Sequence, residues 1–89
     1  MKKNPQVIEQ KVDNEILVIP VIEGVAQMKQ VCCLSESGSI IWEILSTNEE
    51  VSEGEVISAM ASYYKIRESE IREDILEFIN LMKEQQIVI

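Results

Sequence analysis

The hydrophobic pattern of this chain changes period once, at Leu34-Ser35, and that switch limits the fold more than any other feature. Ahead of it, the apolar residues are mostly β-branched and come in short runs separated by turn residues. Val7, Ile8 and Val12 mark a first strand that stops at Asp13-Asn14, a pair suited to a tight turn. Glu15 to Ile22 reads as a second strand, and Glu23-Gly24 as a second turn. Val25 to Leu34 reads as a third strand, half polar, which suits the edge of a sheet. Three strands joined by two tight turns form an antiparallel meander.

Beyond the switch the spacing is helical. Ser35 is a natural N-cap, because its hydroxyl can accept from an orphaned amide of the first turn, and Glu36 suits the positive end of the helix dipole. Ile40, Ile41, Ile44 and Leu45 then form a buried stripe, with Trp42 turned away from it. Gly38 lowers helix propensity, so a close approach to its backbone is expected. Ser52 and Glu55 have capping-box spacing, with Val51 and Val56 placed as a hydrophobic staple. Val56, Ile57, Met60, Ala61 and Tyr64 make the apolar face of this second helix, which should stop near Lys65. A third helix runs from about Glu68 to Gln85, with Ile71, Ile75, Phe78 and Met82 turned inward. Ile87-Val-Ile is extended and packs on the body. The reading is an α+β chain, β-β-β-α-α-α, forming a single domain over residues 1–89.

Composition excludes several function classes. The chain has 8 basic and 16 acidic residues and a net charge of −8. Nucleic-acid affinity depends on neutralising phosphates, and the scattered basic residues make no footprint for it. The same balance disfavours an anionic membrane surface. No window approaches the roughly 18 apolar residues of a membrane span, and no apolar run follows the basic N-terminus, so a cytoplasmic location is expected. There is no histidine and no C-x-x-C, so neither a metal site nor a cofactor is expected. Adjacent Cys32 and Cys33 would strain a disulfide, and they read as small buried apolar residues. With no nucleophile elbow and no phosphate-cradling glycine loop, no catalytic residue can be named and no enzyme is expected. The acidic pairs Glu49-Glu50 and Glu73-Asp74 read as solvated charges.

One feature exceeds what a three-helix core needs. At about 100° per residue, Arg72, Leu76, Ile79 and Lys83 form a second line on the last helix, apolar in the middle and basic at both ends. This line either broadens the core stripe or forms a groove wall for apolar and acidic side chains. A third strand at a sheet edge offers unpaired backbone groups to an extended peptide. The two features would be useful together.

Cys33 to Leu45, CLSESGSIIWEIL, resembles the central signature of the PqqD-like family, the leader-peptide recognition elements of ribosomally made, modified peptides. Leu34, Glu36, Gly38, Ile41, Trp42 and Leu45 stand in matching places, with Ser35 where the family commonly has Asn. Val51 to Ile57, Tyr64-Lys65-Ile66 and Asp74 to Met82 are similar to later family segments, and Gln86-Ile87 stands where the family has a Gly-Leu-type ending. The resemblance covers about residues 15 to 89.

The resemblance implies a winged helix-turn-helix-like fold and a non-catalytic role: the domain binds a precursor's leader and presents the core to a modifying enzyme. It places the added strand along Met28, Lys29, Gln30, Val31, Cys32 and Cys33. The cleft falls at Arg72, Leu76, Ile79 and Lys83, with Ile75 deeper. The implied partners are a precursor peptide and a separate maturation enzyme, a protease or a radical-SAM enzyme. The chain's size favours a stand-alone module and lasso-type processing. Two other readings stay open: a winged-helix nucleic-acid binder, which the charge disfavours, and a structural module forming a homodimer.

Overall fold

The structure, a computed structural model, describes residues 1–89. Strand β1 (Ile8–Val12) turns at Asp13-Asn14 into β2 (Glu15–Ile19), pairing Ile8 with Ile19 and Val12 with Glu15. Pro20 then ends the ladder, since it has no N–H to donate. The expected strand to Ile22 is therefore split. Its second part becomes a separate small hairpin, β3 (Val21–Ile22) and β4 (Val25–Ala26). The hairpin is turned by Glu23-Gly24, both at positive φ, as the tightest hairpin turns require.

The expected third strand is shorter than its sequence suggested. Met28–Gln30 form a single 3-10 turn, with the Gln30 N–H donating to Gln27 O at 2.9 Å. Only β5 (Cys32–Leu34) joins the sheet, antiparallel to β2. Met28, Lys29 and Gln30 thus lie off the strand on which they were expected. The physical reason is visible in the residue types: Gln27-Met-Lys-Gln are unbranched helix formers, and β-branching resumes only at Val31. The main sheet has the order β1-β2-β5.

One face of the sheet packs on the helices through Ile16, Val18 and Leu34, all buried. Helix α1 (Glu36–Ile44) starts on the Ser35 cap, whose Oγ accepts from Gly38 N at 3.1 Å. Ile41 and Leu45 are buried as expected, while Ile40 and Ile44 are half-buried. Trp42 is also buried, against expectation. Its indole N–H donates to Glu9 Oε1 at 3.0 Å, and Lys3 Nζ lies 4.6 Å from the ring centroid. Helix α1 packs against both the sheet and α2 (Glu53–Tyr64), so it needs two apolar faces, and Trp42 supplies the second.

Helix α2 is capped by Ser52, whose Oγ accepts from Glu55 N at 3.1 Å, and ends at Lys65 in the left-handed conformation. Helix α3 (Glu68–Glu84) buries Ile75, Ile79 and Met82. After it, Ile87 and Val88 are buried, and Lys3 bridges Val88, tying the two chain ends together. No helix is long and apolar enough to cross a membrane.

Gln86 sits at φ 60°, the left-handed region that favours glycine. It is the position where the family resemblance places Gly. Gln86→Gly is expected to stabilise the fold by about 1 kcal/mol, read as a rise in Tm, because it removes the Cβ penalty of this conformation. An unchanged or lower Tm would show that the position carries no strain.

Candidate functional site: the β5 edge and the flank of helix α3

β5 has β2 on one side and no strand on the other. In an antiparallel strand, alternate residues aim their N–H and C=O groups at opposite neighbours, so part of the β5 backbone faces the open side. Just ahead of it, Val31 is exposed in an extended conformation (φ −58°, ψ 131°). Exposed Met28 stands beyond it. The free edge is short, essentially Val31 to Leu34.

The two cysteines divide between the faces of the sheet. Cys32, opposite the buried Val18, is half-buried against the core, and its burial pushes the thiol pKa up. Cys33 is exposed, contrary to expectation, because the strand's alternation turns it to the open face. Its thiol donates to Glu15 Oε2 at 3.4 Å. That hydrogen bond, then desolvation and the charge of the same carboxylate, hold the Cys33 pKa above the ordinary thiol value. Thiolate is therefore scarce at neutral pH, and alkylation of Cys33 by iodoacetamide at pH 8 should be slower than that of a free cysteine. Glu15→Gln lowers the pKa and is expected to speed the reaction. Equal rates in the two proteins would show that Glu15 does not hold the proton.

Helix α3 departs from the expected wall. Ile79 is a core residue, only 1% exposed, and Ile75 is buried beside it. Leu76 is half-buried against the core. Arg72 is exposed, 3.8 Å from Glu68 on its own helix. Lys83 Nζ lies 3.4 Å from Glu53 Oε1 at the start of α2. Both ion pairs are surface pairs of small energetic weight. These residues therefore do not make one accessible, cation-flanked groove. The core stripe of α3 is centred between the two lines read from the sequence, so Ile79 moves in, while Ile71 and Phe78 move to its margin as half-buried residues.

Phe78 is the α3 residue that closes on α1. Its ring lies against Gly38 in the first turn of α1, four residues after the end of β5. A Cβ on Gly38 would stand 3.1 Å from Phe78 Cε2. This is the close approach expected at Gly38, made by a ring. Phe78 also borders a mostly apolar recess of about 280 Å³ between the three helices, with Gly38, Ile41, Met60, Tyr64 and Ile71 among its walls and Asp74 as its one carboxylate. Leu81, one turn beyond Phe78, is 46% exposed. Helical spacing alone does not mark this flank, because Phe78 fits the core stripe and Leu81 falls on neither line of α3.

The family model for PqqD, described as coenzyme PQQ synthesis protein D, matches residues 22–88. No curated protein shows a significant match. Among solved structures, "TbiB1 in Complex with the TbiA(beta) Leader Peptide" is similar, with a TM-score of 0.76 at 19% identity over 99% of this chain and 94% of that one. At that identity the likeness is one of fold: an antiparallel sheet followed by three helices.

Proposed function

Because the chain belongs to the PqqD family, we propose that it is a non-catalytic module that captures the leader of a ribosomally made precursor peptide and hands the precursor to a separate maturation enzyme. The observation that carries this reading is the unpaired β5 edge, which leaves backbone donors and acceptors free for an added strand; the half-buried Phe78 and exposed Leu81 of α3 are the apolar side chains assigned to its cleft. The TbiB1 structure, of the same fold, is described in complex with a leader peptide.

In this reading the leader pairs antiparallel along Val31, Cys32 and Cys33. Backbone hydrogen bonds give affinity with little demand on sequence. Alternate leader side chains turn toward α3 and meet Phe78, Leu81 and the recess beyond, which select for apolar residues. An unstructured leader loses conformational freedom on docking, so affinity per buried area is modest. Holding it raises the local concentration of the precursor core at the enzyme, a protease of lasso-type processing or a radical-SAM enzyme. The net charge of −8 disfavours nucleic acid as an alternative ligand.

The test is a fluorescence-anisotropy titration with labelled synthetic leaders of candidate precursor peptides from the host genome. Saturable binding is expected, weakened about tenfold by Leu81→Asp, which places a charge where an apolar contact is proposed. Leu81 is exposed, so the fold should be unchanged by circular dichroism. Absence of binding, or tight salt-sensitive binding of duplex DNA instead, would overturn the assignment.

A further inference from the structure

The opposite edge of the sheet is a second open strand. β1 pairs with β2 on one side and with no strand on the other, and all five of its residues are exposed. Such an edge invites pairing unless charge, proline or a covering segment blunts it. β1 reads Ile-Glu-Gln-Lys-Val. Laid antiparallel against itself about a two-fold axis through Gln10, this sequence is self-complementary. Ile8 falls opposite Val12 of the second copy, and Glu9 falls opposite Lys11.

The two kinds of pair segregate to opposite faces. Glu9 and Lys11 stand opposite the buried Val18 and Ile16 and so lie on the helix-covered face. Ile8 and Val12, 44% and 45% exposed, lie on the opposite face, Ile8 across from the buried Ile19 and Val12 across from the exposed Glu15. The two-fold axis doubles every contact: two apolar pairs on one face and two opposite-charge pairs on the other. Within the chain, Glu9 uses Oε1 to accept from Trp42, and Lys11 meets Glu43 only as an exposed pair at 3.5 Å. Glu9 Oε2 and the Lys11 ammonium therefore retain capacity for a cross-strand partner.

We infer that β1 docks a second copy of this chain edge to edge, extending three strands to a six-stranded sheet. The order would be β5-β2-β1-β1-β2-β5, so both β5 edges remain free at the far ends. A contact between two five-residue strands is small, so the dimer is weak.

Sedimentation equilibrium of the full chain from about 10 µM to about 1 mM tests this. A monomer–dimer equilibrium is expected. Glu9→Lys sets lysine opposite lysine and should raise the dissociation constant about tenfold or more. Exchanging both residues, Glu9→Lys with Lys11→Glu, restores opposite charges and should restore association. Ile8→Lys, which leaves the Trp42 acceptor in place, should weaken the dimer to a similar degree with an unchanged Tm. A monomer at every concentration overturns the inference. So does a dimer indifferent to Glu9→Lys and Ile8→Lys, or a double exchange that stays folded without re-associating. Loss of maturation-enzyme stimulation in β1 variants of a strictly monomeric chain would instead assign this edge to the enzyme. Leader titration of the same variants should be unchanged, which separates this outcome from that of the β5 proposal.

Discussion

Ile79→Asp is expected to abolish the cooperative thermal transition and most of the helical circular dichroism signal. Ile79 is 1% exposed, in one cluster with Ile75, Met82, Trp42 and Val18. Truncating such a side chain to alanine alone costs about 2–5 kcal/mol. An unpaired carboxylate in the same place adds several kcal/mol of desolvation, or is driven to take up a proton. A domain of this size holds only about 5–10 kcal/mol of stability, so the sum is enough to unfold it. Ile79→Val, which keeps most of the packing, should cost about 1 kcal/mol and leave a folded protein. Loss of leader binding in Ile79→Asp would therefore report unfolding, not a lost contact. A native melting curve for Ile79→Asp would remove Ile79 from the core and reopen the groove wall read from the sequence.

Val31→Pro is expected to weaken leader binding about tenfold, as loss of a strand-addition hydrogen bond with its associated clash would do. Val31 already holds φ at −58°, the value proline imposes, and its N–H makes no hydrogen bond within the chain. The substitution thus removes a donor offered to the leader and none used by the fold. A following proline restricts Gln30, which closes the 3-10 turn, so Tm is measured alongside and a modest fall is expected. Unchanged affinity would show that the leader does not pair along this edge. Weakened binding in both Val31→Pro and Leu81→Asp would place the strand and the helix flank in one site.

How much was legible in the sequence differs by element. The Ser35 and Ser52 caps, the stop at Lys65 and the span of α3 were legible because caps and helical spacing act within a turn or two of the residues that carry them. The break at Pro20 and the helical turn at Met28–Gln30 were also written locally, in a missing N–H and a run of unbranched residues. A run of β-branched neighbours masked them. The family signature from Cys33 to Leu45 was legible because its cap, its glycine and its tryptophan each answer a steric or hydrogen-bonding need at a fixed spacing.

By itself, the sequence determined a strand-built first third followed by three helices, the helix ends, the acidic surface and the family. All of these follow from interactions between near neighbours in the chain or from composition alone. The tertiary structure alone decided that Trp42 is buried under Glu9, that Ile79 is core, that Lys83 turns to α2 and that Phe78 closes on Gly38. A helix with two apolar lines can rotate to bury either or both, and the choice is made by the volume and partners of the elements packed against it. Those partners lie tens of residues away in the chain, and no local pattern specifies them.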